Sequence, residues 1–319
     1  MLTTGEKRVY RFLYCSTISF MRSTPRHRWL VELWALGTLS LFILSPSLLQ
    51  SAEVDVSKGI EFAVVNKQSL KLDLYRPTNE TIPRLIVWVH GGAWRGGSRN
   101  SMPLTALLEH GYSVASVDYR LTPTAPFPAQ VHDIKAAIRF LRANASHFKI
   151  NTDTIAIAGA SAGGHLVALV GTTNEHAQLE GNIGQHLDQS SSVHAVVSYY
   201  GASNLMSILA QSTPHGLSVR IPALQLLLGG QPDTEVKLAQ LASPVFHIDE
   251  NDPPLLLLHG DQDPQMPINQ SHELHGRYLE AGLECHFEVI HGAAHGGKAF
   301  YNSKNTKTVL GFLEKIFSQ

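Results

Sequence analysis

The chain has 319 residues, 44% of them hydrophobic and 16% charged, with a formal net charge of −1 at pH 7. That composition excludes a disordered or fibrous chain, and near-neutrality removes any electrostatic case for nucleic acid or an anionic membrane surface as a partner. The length suffices for one large α/β domain, or two small ones, with a sizeable buried core.

Residues 22–28, Arg-Ser-Thr-Pro-Arg-His-Arg, precede a mostly apolar stretch from Trp29 to Leu49 in which Glu32 is the sole charge. Ser45-Pro46-Ser47 breaks the run, and Gln50-Ser51-Ala52 follows with small residues. A basic stretch, an apolar stretch and a small-residue exit are the marks of a secretory signal. The competing reading is an uncleaved membrane anchor, for which the apolar span is just long enough. Residues 1–52 are therefore expected to be signal or anchor, with Met21 a plausible start. Residues 53–319 are expected to be a catalytic domain that is secreted, periplasmic or held at a membrane by that segment alone. Of the two cysteines, Cys15 falls before the domain and Cys285 within it, so no internal disulfide is expected.

From Glu53 onward strand and helix patterns alternate. Ile60–Val65 and Ser69–Tyr75 flank Asn66-Lys67-Gln68 as an edge hairpin. Leu85–Val89 is a continuous apolar run, as in a parallel strand buried on both faces, and Tyr112–Val117 reads as the next such strand. Val131, Ile134, Ile138, Leu141 and Ala145 repeat at three- and four-residue steps, which predicts a helix over Pro128–Ala145. Thr154–Ala158 reads as a strand, with a helix beginning just after Ser161. Further strands are expected at Val193–Tyr199, Pro254–Leu258 and Cys285–Ile290. Helices are expected over about Ile268–Ala281 and near Val309–Phe317. Such alternation means a mostly parallel sheet with helices on both faces. Residues 203–244, with Pro214, Pro222, Gly229-Gly230 and Pro232, interrupt the rhythm. They read as a small insertion over the active-site edge of the sheet, helical near Ala223–Leu228.

Gly159-Ala160-Ser161-Ala162-Gly163 matches G-x-S-x-G. The motif alone is weak, but it stands directly between a strand and a helix, as a nucleophile elbow requires. A serine there sits on a sharp turn with its hydroxyl above the sheet, and the residues two before and two after must be small. No Gly-Lys-Ser/Thr or spaced G-x-G-x-x-G supports a phosphate loop instead. His90-Gly91-Gly92-Ala93-Trp94 follows the strand Leu85–Val89. Backbone amides of such a turn can hold the oxyanion of an ester undergoing hydrolysis, and Gly92, Ala93 and Ala162 are the candidate donors.

A serine nucleophile needs a base, and the base an orienting carboxylate. His259-Gly260-Asp261-Gln262-Asp263-Pro264 follows one late strand. His291-Gly292-Ala293-Ala294-His295-Gly296-Gly297 follows the last. The order serine, acid, histidine suits this fold, yet spacing leaves Asp261 against Asp263 and His291 against His295. A competing use of the histidine-rich tail is a metal site built on His272 and His275, with His286, His291 and His295 nearby. No H-E-x-x-H or cysteine knuckle accompanies them, so no metal or organic cofactor is expected.

With these residues in place the chain resembles the α/β-hydrolase superfamily. Within it, the resemblance is to the esterase branch of hormone-sensitive-lipase-like, acetyl-esterase-like and feruloyl-esterase-like (BD-FAE) enzymes. It runs from about Gly59 to the C-terminus and rests on His90–Trp94, Asp118-Tyr119-Arg120-Leu121, Phe127-Pro128-Ala129 with Asp133, and Gly159–His165. Leu228-Gly229-Gly230, Ser243-Pro244, Asp252-Pro253-Pro254 and His259–Pro267 carry it further. The resemblance implies Asp263 as the acid, His295 as the base, and structural roles for Asp118 and Arg120. Ala93 stands where the family usually has a third Gly, and Ala160 where the lipase-like branch often has an acidic residue. The methyl of Ala93 narrows the acyl pocket slightly but leaves the amide available, and the departure at Ala160 leans towards acetyl and feruloyl esterases. The activity implied is hydrolysis of short-chain or aromatic acyl esters, including esters of carbohydrate. Ranked behind it are a peptidase or amidase of the same fold, a lipase, and an inactive binding module on the same scaffold.

Overall fold

A computed structural model of the protein describes residues 53–78 and 81–318. The expected signal or anchor over residues 1–52, with Cys15 and Met21, lies outside them. Among the described residues no helix is long and apolar enough to cross a membrane.

Among the described residues eight strands form one sheet: β1 (Val54–Val65), β2 (Gln68–Pro77), β3 (Arg84–Val89), β4 (Tyr112–Val117), β5 (Asn151–Ala160), β6 (Ala195–Tyr199), β7 (Leu255–Gly260) and β8 (Cys285–Ile290). Their order is β1-β2-β4-β3-β5-β6-β7-β8. β1 and β2 pair antiparallel, β2 pairs antiparallel with β4, and every later neighbour is parallel. The hairpin turn is tighter than the sequence pattern suggests. Val65 pairs with Gln68, so Asn66 and Lys67 alone make the turn, both with positive φ (50° and 67°) as a two-residue hairpin loop demands.

Among the described residues ten helices accompany the sheet: α1 (Thr105–Glu109), α2 (Ala129–Ala143), α3 (Ala145–Phe148), α4 (Ala162–Gly171), α5 (Ala177–Glu180), α6 (Ile208–Gln211), α7 (Pro214–Leu228), α8 (Val236–Leu241), α9 (Asn269–Glu280) and α10 (Ser303–Phe317). Alternation along β3 shows how they cover both faces. Leu85, Val87 and Val89 join one core with Val131, Ile134, Ile138 and Leu141 of α2. Ile86 and Trp88 join the other with Leu107 and Leu108 of α1 and Val309, Phe312 and Leu313 of α10. A strand buried on both faces has no polar side to show, hence its unbroken apolar run. Each fully buried Leu, Ile or Val contributes about 2 kcal/mol.

Three departures from the sequence expectations have local causes. The helix expected over Pro128–Ala145 stops at Ala143 and a separate turn, α3, follows Asn144, whose side-chain amide donates to the Phe140 carbonyl oxygen (2.9 Å). β5 begins at Asn151, before its apolar part, because the Asn151 amide donates to the Pro83 carbonyl oxygen (2.9 Å) at the head of β3. The insertion is more helical than its prolines suggest, since α7 begins at Pro214 and continues through Pro222. Pro214 stands in the first turn, where a missing N–H costs nothing, and the Thr213 hydroxyl caps the Gly216 amide (3.0 Å). Leu224, Leu227 and Leu228 then bury their side chains in the first core, which outweighs the hydrogen bond lost at Pro222.

The insertion is pinned at its base. The Leu205 amide donates to Ser243 Oγ (2.8 Å) and the Val245 amide to the Ser203 carbonyl oxygen (3.3 Å). Its far side holds the loop after β7: Thr213 Oγ1 donates to the Pro264 carbonyl oxygen (2.5 Å) and Arg220 Nη2 to that of Gln265 (3.1 Å).

Candidate active site

Ser161 sits between β5 and α4 with φ 56° and ψ −116°, a conformation that only a surrounding framework sustains for a residue with a Cβ. The framework is a close crossing of backbones. A methyl at Gly159 would lie 2.5 Å from the Gly163 carbonyl oxygen, and one at Gly163 would strike the carbonyl oxygens of Val89 and His90. Glycine at both positions lets the strand turn directly into the helix. The Ser161 amide donates to the Tyr199 carbonyl oxygen (2.9 Å), which anchors the turn on β6.

The loop after β3 lies against this turn: a Cβ at Gly91 would stand 3.3 Å from Ser161 Cβ. Gly92, Ala93 and Trp94 all have positive φ (118°, 50° and 58°). Among the described residues the amides of Gly92, Ala93 and Ala162 have no protein acceptor, and Ala162 opens α4, whose N-terminal amides favour negative charge. Two left-handed non-glycine residues in succession cost on the order of 1–3 kcal/mol each, so something must hold the loop. Trp94 does so from full burial, donating Nε1–H to Nδ1 of His165 (3.0 Å). His165 therefore carries its own proton on Nε2 and donates it to the Ala242 carbonyl oxygen (2.6 Å). Burial lowers the His165 pKa from 6.5 to about 4 and keeps the ring neutral. One imidazole thus ties the loop, α4 and the end of the insertion together.

On the other side of Ser161 runs a chain of hydrogen bonds. His295 Nε2 lies 2.9 Å from Ser161 Oγ, and His295 Nδ1 lies 2.6 Å from Asp263 Oδ2. The Asp263 side chain is 1% exposed and that of His295 15%. Oδ1 of Asp263 accepts the Gln265 and Met266 amides, both at 2.8 Å. Burial alone would raise the Asp263 pKa. Hydrogen bonds to His259, His295 and the Met266 amide, with the charge of His295, outweigh it and hold the carboxyl well below the usual carboxylate range. The ring of Tyr200 meets that of His295 edge-on at 4.8 Å.

The alternative pair is also formed, but elsewhere. His291 Nδ1 donates to Asp261 Oδ2 (2.8 Å), and the Gly292 amide to Asp261 Oδ1 (2.7 Å). The His291 side chain is 85% exposed, and neither residue hydrogen-bonds to Ser161. His272 and His275 turn their rings to Phe287, at 5.0 and 5.9 Å between centroids. No three His, Cys, Asp or Glu among the described residues stand where they could hold a metal ion together. Asp118 and Arg120 are placed as struts: Asp118 binds Arg99, and Arg120 grips the buried Asp133 through Nε and Nη2.

Sequence reasoning missed three contributors. His165 and Trp94 each stand within a motif, but their 71-residue separation carries no periodic signal. His259, fully buried, donates Nε2–H to the Met266 carbonyl oxygen (3.0 Å), sits 3.4 Å from Asp263 Oδ2 and accepts from Ser271 Oγ (2.7 Å). A histidine ending an apolar strand two residues before a candidate acid was the available signal.

Ser161 and His295 open into a cleft of about 900 Å³ whose walls include Trp88, Ala93, Met102, Tyr200, Val219 and Tyr301. A family model for BD-FAE matches residues 72–278, most of the described chain. The chain belongs to the BD-FAE family. This BD-FAE chain is 32% identical over 229 residues to esterase LipC of Mycobacterium tuberculosis, an alignment covering 67% of the chain and 56% of LipC. It spans about half the length of the curated relatives it matches. Among solved structures, a truncated carbohydrate esterase from gut microbiota superposes with a TM-score of 0.76 at 29% identity, covering 84% of this chain and 98% of that one. An esterase of Thermogutta terrifontis, solved with propionate bound, gives a TM-score of 0.65 at 25% identity, covering 85% and 96%. These neighbours share the α/β-hydrolase fold of the BD-FAE chain.

Proposed function

We propose that the protein is a carboxylic ester hydrolase in which Ser161 is the nucleophile, His295 the base and Asp263 its orienting acid. The observation that carries this reading is the unbroken hydrogen-bond chain from Asp263 through His295 to Ser161 Oγ at the floor of an open cleft. Ser161 Oγ attacks the ester carbonyl carbon as its proton passes to His295 Nε2. The carbonyl oxygen becomes an oxyanion held by the amides of Gly92, Ala93 and Ala162. Collapse breaks the bond to the alcohol oxygen, which takes the proton from His295 and leaves an acyl-serine. Water then repeats the sequence, releasing the acid and restoring Ser161. Asp263 holds the His295 tautomer and stabilises its cation. No step runs through a metal or an organic cofactor.

The substrates are short-chain or aromatic acyl esters, including esters of carbohydrate. Ala93 narrows the cleft beside Ser161, and the insertion offers no long apolar stretch of the kind that seats on lipid. A carbohydrate esterase and a propionate-bound esterase among the structural neighbours favour the same class. The catalytic domain is residues 53–319, and residues 1–52 direct export, as cleaved signal or as anchor; N-terminal sequencing of exported protein tests that boundary. The test of the activity is hydrolysis of p-nitrophenyl acetate, butyrate, octanoate and palmitate by wild type and Ser161→Ala. Rates should fall with chain length and vanish in the variant. Full activity in Ser161→Ala would end the serine reading, and a rise to palmitate at the emulsion boundary would mean a lipase.

A further inference from the structure

Among the described residues that line the cleft above Ser161, one side chain, Arg95, is permanently charged and none is Asp or Glu. Arg95 is exposed, and among the described residues no carboxylate pairs with it and no acceptor takes its guanidinium protons. Its neighbours show that this is a particular of position. Arg99, four residues on, is locked by Asp73 (2.8 Å) and Asp118 (2.5 Å), and Arg120 by Asp133 (2.7 Å). Arg95 is nevertheless held at its backbone. Its amide donates to the Gly92 carbonyl oxygen (3.1 Å), and the preceding Trp94 is anchored in the core. The guanidinium therefore projects from the same short turn that carries the candidate oxyanion donors. Asn100, also exposed, lines the same cleft and leaves its side-chain amide without a protein partner among the described residues.

A guanidinium presents a planar fork of donors that matches a carboxylate, and an unpaired one in a cleft without acids creates a positive field there. At about 900 Å³ the cleft exceeds what a small acyl group fills, leaving room for a sugar ring on the alcohol side against Tyr200 and Tyr301. We propose that Arg95 selects esters whose alcohol is an acidic sugar, its guanidinium pairing with the sugar carboxylate while Ser161 attacks the acyl group. The inference rests on the ester hydrolase reading and adds the charge of the substrate to it.

The experiment compares kcat/KM for an acetylated methyl glucuronoside with that for the neutral acetylated methyl glucoside. It uses the wild type, Arg95→Gln and Arg95→Glu, at low and at high salt. A p-nitrophenyl hemisuccinate arm puts the carboxylate on the acyl side instead. The wild type should favour the acidic sugar ester over the neutral one by about tenfold at low salt, and less in 1 M NaCl, where screening is short-ranged. Arg95→Gln should bring the ratio close to one, and Arg95→Glu should invert it. A ratio that does not respond to Arg95 overturns the inference and leaves the hydrolase reading standing. A preference confined to the hemisuccinate overturns the assignment to the alcohol. Hydrolysis of none of these esters, nor of p-nitrophenyl acetate, would overturn both.

Discussion

Two Asp–His pairs stand side by side at the end of β7 and β8, and they differ in everything except the pair itself. Asp261–His291 has a 2.8 Å contact in water, with the His291 side chain 85% exposed. Asp263–His295 has a 2.6 Å contact with its carboxylate 1% exposed and Ser161 2.9 Å from the far ring nitrogen. The outer pair extends the parallel ladder: Gly260 pairs with Ile290, so the next residues are Asp261 and His291. The inner pair comes from where the two loops travel afterwards, with the Gln262 amide donating to the Ala293 carbonyl oxygen (3.1 Å) and the insertion holding Pro264 and Gln265. A carboxylate against an imidazole is common chemistry. Exclusion of water and a third group on the other nitrogen are what a catalytic base requires, and of these two pairs the inner one has both.

The two pairs should separate most at the histidines. His295→Ala should reduce kcat on p-nitrophenyl acetate by about 10⁵-fold or more, as loss of the base does in serine hydrolases. His291→Ala should change it by no more than about twofold, the scale of a surface substitution. At the acids, Asp263→Asn should cost roughly 10⁴-fold by mispairing the ring, and Asp261→Asn again about twofold or less. The reverse ranking in either kinetic series would show that the outer pair is the working one.

The reach of the sequence differs between the same two regions. G-x-S-x-G was legible because the crossing at Gly159 and Gly163 admits no other residues, so the steric demand is written in the motif. β3 and β7 were legible because burial on both faces leaves an apolar run in their composition. Choosing between the two Asp–His pairs was beyond spacing, since the partners lie 30 residues apart in one and 32 in the other. There only a resemblance to known esterases favours one pair, because the difference between them lies in the path of two loops. α7 was obscured by Pro214 and Pro222, residues that end helices on average but are tolerated where a cap and a buried leucine face compensate. The Trp94–His165 contact left no trace, because it joins two segments that meet only across the folded sheet.

The same contact should have a smaller effect on turnover. His165→Ala removes the partner of Trp94 and should lower kcat by about 10²-fold, comparable to losing one oxyanion donor, with little change in KM. His165→Gln, which can both accept and donate, should recover part of it. A loss confined to KM would mean that the ring serves binding alone.

The smallest effect is on folding. The unfolded chain protonates this histidine near pH 6.5, whereas the folded chain resists until about pH 4. Between those values the unfolded state binds more protons, so stability falls as pH falls. From pH 7 to pH 5 the loss from His165 should be about 2 kcal/mol. Asp263, whose pKa is depressed, adds its own loss below about pH 4. Urea denaturation of wild type and His165→Gln at the two pH values measures it. An identical pH dependence in both would remove His165 from the explanation.

The most direct test of the account is to trap the nucleophile. Wild type, His295→Ala and His291→Ala are each treated with a fluorophosphonate ester, and the adduct is mapped by peptide mass spectrometry. One stoichiometric adduct is expected, on Ser161, formed as fast in His291→Ala as in wild type and slowed by several orders of magnitude in His295→Ala. An adduct on another residue, or labelling of Ser161 that depends on His291 and not on His295, would contradict it.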